Sequence, residues 1–109
     1  MKQPVNPKSN QINEPSIKDE YNLLKPLLHS IYSEMKVLSS RKQDGILNES
    51  KVTVINKILS RIKVLLKKEP TNDFLELLDL ESLPSNSDAV LILVQFESAI
   101  EQFRRKNGF

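Results

Sequence analysis

Apolar residues recur at alternating steps of three and four along three stretches of this chain. Tyr21, Leu24, Leu28, Ile31, Met35 and Leu38 make the first series. Val52, Ile55, Leu59, Ile62 and Leu66 make the second, and Ala89, Ile92, Phe96, Ala99 and Phe103 the third. Such steps gather side chains on one stripe of an α-helix. They predict helices over about 19–41, 49–68 and 86–106. Mixed steps of three and four suit shallow crossing angles. Each series is under three heptads, too short to favour a free-standing coiled coil. The expected fold class is therefore all-α: a small antiparallel three-helix bundle.

The punctuation between the series agrees. Ser16 with Asp19, and Ser85 with Asp88, have the spacing of capping boxes. Asn48 or Ser50 can cap the second helix, and Glu49 suits its positive end. Lys67 and Lys68 suit its negative end, and Pro70 prevents its continuation. Gln43-Asp44-Gly45 supplies a turn, and Gly108 suits the end of the last helix. Between the second and third helices, Thr71 or Asn72 can cap an additional short helix over about 72–81. Its apolar patch would be Phe74, Leu77 and Leu78. Leu83 to Asn86 reads as a loop.

Two places resist. Pro26 falls inside the first series and removes a backbone donor, so that helix either starts late, near Leu23 or Lys25, or kinks. The run from Ala89 to Phe96 is apolar enough for a buried strand. Ala99, Ile100 and Phe103 extend it at helical spacing, which favours helix.

Composition bounds the rest. The 109 residues suffice for one core. Residues 1–15 hold three prolines and only Val5 and Ile12 as sizeable aliphatics, so we expect a disordered arm ahead of one domain over 16–109. With no cysteine there is no disulfide and no thiolate metal site. The absence of an apolar leader and of any long apolar run points to a soluble, cytoplasmic protein without a membrane span.

Charge adds one feature. The net charge is only +2, yet thirteen cations and six acids precede Glu69, while three cations and eight acids follow from it. No acid lies between Lys51 and Lys68, and no cation between Glu69 and Phe103. Lys57, Arg61 and Lys68 form a ridge opposite the apolar seam of the second helix. Together with Arg104, Arg105 and Lys106 they are the candidates for touching nucleic acid. No aromatic residues interleave with them for base stacking, and the acidic half would repel a duplex. A solvated cationic face is the simpler expectation.

Catalytic signals are sparse. Asp73, Glu76 and Asp79 step by three along the expected short helix and drift round it rather than converging on a cation. His29, the single histidine, has no evident partner and reads as a residue at the edge of the core. Two glycines in all leave no phosphate loop. We expect no enzyme, no cofactor and no metal site.

Interaction signals are stronger. Leu77-Leu78-Asp79-Leu80-Glu81 resembles the short clathrin-box type of peptide. An amphipathic helix covering the bundle explains the same residues. In the last helix Val90 and Val94 project opposite the seam, with Leu91 to one side. A helix apolar all round must be covered all round, by the short element of the same chain or by a partner. The interface candidates are therefore Phe74, Leu78, Val90, Leu91 and Val94. The expected function is a helical interaction or accessory module that docks by a helix face, in a homo-oligomer or on another protein. A weak nucleic-acid-associated protein is the alternative.

Overall fold

The computed structural model of the protein describes residues 16–109. The arm expected over residues 1–15 lies outside them. Three α-helices form the bundle: α1 spans Ile17–Arg41, α2 Glu49–Leu65 and α3 Asn86–Asn107. Among the described residues there is no strand, only an isolated antiparallel bridge between Ile46 and Ser85.

Helix starts follow local chemistry. Ser16, Asn48 and Ser85 are the N-caps, each accepting from the backbone N–H three residues on. Asn48 thus caps α2, and Ser50 lies inside it. Gly108 ends α3 at φ 72°, a conformation that costs glycine little. α2 stops at Leu65, and tight turns through Leu66–Glu69 take over before Pro70.

Helix α1 begins nine residues before Pro26 and runs through it, which rules out a late start. Pro26 is exposed, so its ring lies away from the core. The carbonyl that loses its helical donor there belongs to Asn22, which is also exposed and open to water.

The core joins all three apolar series. Leu24, Leu28, Val52, Leu59, Ile62, Leu66, Leu93, Phe96 and Ile100 are fully buried. On α3 the buried stripe runs through Leu93 rather than Ile92, which is only half-buried. α1 packs most extensively on α3, less on α2, while α2 and α3 touch each other least. Phe109 folds back on the core and meets Tyr21 and Phe103 with ring centroids 5.6 Å and 5.9 Å away.

The space between α2 and α3 is filled by the chain that links them, and here the structure departs from expectation. The short helix is a single 3₁₀ turn, Pro70–Phe74, instead of an element over 72–81. Residues 75–79 then run without helical hydrogen bonding. Leu75 and Leu78 are buried, while Phe74 and Leu77 are exposed. Burial at i and i+3 in extended chain is the three-residue period of a polyproline-like backbone. An isolated helix of two or three turns is marginal in water. The extended path wins because α2 supplies its hydrogen bonds. Asn56 Nδ2 donates to Leu78 O and Leu78 N donates to Asn56 Oδ1, both at 2.9 Å. Lys63 Nζ donates to Leu75 O at 2.6 Å and to Asn72 O at 3.1 Å.

The α1–α2 connection is tied to the start of α3. Asn86 N donates to Gly45 O at 2.7 Å, and Leu47 N to Pro84 O at 3.0 Å. The side chain of Asn86, the one buried polar residue among the described residues, donates to Lys42 O at 2.8 Å.

Candidate functional site

Phe74 closes the 3₁₀ turn with its ring turned outward, 77% exposed. The turn and the outer face of α3 enclose a groove of about 430 Å³ lined by Thr71, Phe74, Leu75, Val94, Gln95, Ser98, Ala99 and Gln102. No lining residue is charged, in a chain of which 28% is charged. The groove exists because Leu75 turns into the core while Phe74, its neighbour, stays at the rim.

Of the five interface candidates, the structure brings Phe74 and Val94 together across this groove. Leu91 lies one turn earlier on α3 and is 59% exposed. Val90 is half-buried and packs against the core, so the chain itself partly covers that face. Leu78 is a correction: it is 3% exposed and belongs to the core, because the extended path turns it inward. It cannot serve as a surface anchor in this fold. Gln95, Ser98 and Gln102 were missed by sequence reasoning. Their signal was a run of uncharged residues, at spacings of three and four, on the polar side of α3.

A second groove of about 470 Å³ opens between the C-terminal half of α1 and the start of α2, with Ile31, Met35, Leu38, Val54 and Ile55 in its walls. Glu34 and Lys51 also line it.

The nucleic-acid candidates do not make a free basic strip. Arg61 holds Glu20 of α1 in a bidentate pair, with Nε and Nη2 at 3.0 Å and 2.8 Å from its carboxylate oxygens. Arg104 and Arg105 both pair with Glu101. Lys106 reaches Glu69 at the end of α2, 3.2 Å away. Among the described residues, Lys57 and Lys68 alone of the six candidates have no ion-pair partner. Hydrogen bonds from Arg104 hold the Glu101 carboxyl well below the usual carboxylate range, at about 2, against an opposing effect of desolvation and with further help from Arg105. The same contact raises Arg104.

His29 is more exposed than a core-edge residue, and its Nδ1 lies 3.8 Å from Glu97 Oε1. Asp73, Glu76 and Asp79 stand along the turn and the extended segment and do not converge. Among the described residues no three His, Asp or Glu side chains gather as metal ligands. Also among them, no helix is long and apolar enough to cross a membrane.

No protein-family model matches this sequence, and neither curated proteins nor solved structures give a match.

Proposed function

We propose that this protein is a non-enzymatic interaction module of the cytoplasm that docks a partner protein by the outer face of α3. The uncharged groove between α3 and the 3₁₀ turn, with Phe74 exposed at its rim, carries the proposal. An exposed aromatic beside an apolar recess has the composition of an interface hot spot: a large side chain that gains contact area at low entropy cost. Leu91 and Val94 extend the surface toward the start of α3. Gln95, Ser98 and Gln102 supply neutral hydrogen-bonding groups along its edge, which a partner's backbone can meet without desolvating a charge.

A polynucleotide partner is less favoured. Four of the six cations proposed for it already neutralise carboxylates of the same chain. The two left over would give weak, salt-sensitive binding.

The test is capture by the full-length chain, with and without nuclease, comparing wild type with Phe74→Ser and Leu91→Ser. Both residues are exposed, so folding should be unchanged. We expect a nuclease-resistant partner that is lost from both variants. A partner retained by both, or one removed by nuclease, would overturn the proposal.

A further inference from the structure

The extended segment lies along one flank of α2 and runs antiparallel to it: Asn72 and Leu75 are level with Lys63, and Leu78 is level with Asn56. Its solvent side is acidic, with Asp73, Glu76, Asp79 and Glu81 all exposed. On α2, Lys57 follows Asn56 and Val64 follows Lys63, so each lies about 100° further round the helix, next to the segment but facing out. Lys67 and Lys68 continue this side past the helix end, and both are exposed. Between cations and acids lie Thr53, Ser60 and Val64, small and uncharged, with Val64 66% exposed. Leu77 and Leu80 project from the acidic side.

The surface is therefore two parallel stripes of opposite sign with a narrow neutral seam between them. Its charges are unspent: among the described residues Lys57, Lys67, Lys68, Asp73 and Glu76 take no ion pair. Such a surface is complementary to itself under a two-fold rotation. An axis parallel to α2, running along the seam, lays the cationic stripe of each copy on the acidic stripe of the other. An axis perpendicular to α2 would set like charges against each other. The first axis also preserves level along the helix, so Lys57 meets Glu76 and Asp79, and Lys68 meets Asp73.

We propose that the chain pairs with a second copy through this surface, as a two-fold dimer with its two α2 helices side by side and parallel. The interface is separate from the groove beside Phe74, which opens on the α3 side of the linking segment. Both faces can be occupied at once. Paired charges at the rim steer and orient the copies, while Val64, Leu77 and Leu80 supply the apolar contact.

Sedimentation velocity on the full chain tests this, at low salt and at about 0.5 M salt, where the Debye length shrinks to a few ångströms. The first variant is Lys57→Glu with Lys68→Glu; the second is Asp73→Lys with Glu76→Lys. All four positions are exposed, and circular dichroism checks that each variant folds. Wild type should dimerise at low salt and weaken at high salt. Each variant alone should lose at least about tenfold in dimer affinity, because two attractive charge pairs per stripe become repulsive. An equimolar mixture of the two should form a heterodimer, since reversal makes this surface predominantly acidic on one copy and more basic on the other, and each altered stripe then meets opposite charge. Phe74→Ser should leave the dimer intact even where it abolishes partner capture.

A wild type that stays monomeric at low salt would overturn the proposal, whether or not its cations then retain a polynucleotide. So would a dimer that both reversals leave unchanged. Failure of the two variants to combine would also overturn it, because complementation is a direct consequence of the stripe geometry.

Discussion

The side chain of Asn56 pairs with both backbone groups of Leu78, donating to its carbonyl and accepting from its N–H at 2.9 Å each. One amide side chain does here what a neighbouring strand does in a sheet. It satisfies a segment that has no strand beside it and lets Leu78 enter the core.

Removing that amide should therefore cost more than a surface substitution. Asn56→Ala leaves the N–H and carbonyl of Leu78 without their partner in a half-buried place. We expect a loss of about 1–3 kcal/mol in urea unfolding, the usual cost of an unmet buried group. Asn56→Asp keeps the acceptor but sets a carboxylate oxygen against the Leu78 carbonyl, so it should also be destabilising. Hydrogen exchange at Leu78 should rise in both variants, ahead of the helices.

Gly45 is specific for the space it leaves. A Cβ built there would lie 2.8 Å from Asn86 Nδ2, which donates to Lys42 O and is enclosed. Gly45→Ala should displace that side chain and cost about 1–3 kcal/mol, as expected when a buried polar group loses its partner. Asn86→Ala should cost a similar amount alone. In the double variant the added methyl has no Asn86 side chain left to displace, so the two losses should be clearly less than additive in a double-mutant cycle.

Glu101 contributes to the acid limb of stability. Its carboxyl titrates at about 2 in the fold, against an ordinary value of 4.5, because Arg104 and then Arg105 bond to the ionised form. A carboxylate depressed in the folded state stabilises fully above its unfolded pKa and loses that contribution as pH falls through the folded one. The melting temperature should thus decline between about pH 4.5 and pH 2 in part through this group. In Glu101→Gln that part of the decline should disappear. Exposure and salt keep the effect small, so added salt should narrow the difference between the two proteins.

Much of the fold was legible because helical periodicity and capping are local. The three apolar series placed α1, α2 and α3 within a few residues, and Ser16, Ser85 and Gly108 marked ends that the backbone adopts. The segment after Pro70 was not legible in the same way. Its leucines fit a helical stripe as well as a three-residue period, and the choice between them lay in Asn56 and Lys63, which are distant in sequence. That choice moved Leu78 inward, left Phe74 outside and made the groove against α3.

The charge reversal at Glu69 followed the same division. The order of signs along the chain is a property of the sequence and needs no fold. Which cations remain available is not, because Arg61 finds Glu20 and Lys106 finds Glu69 only when the helices pack. Local rules determined three helices with an apolar seam on each. The tertiary structure decided which polar groups the linking segment would bond, and hence which apolar and charged residues were left facing water. Backbone hydrogen-bond satisfaction in the gap between α2 and α3 is settled by partners that only the folded chain brings near.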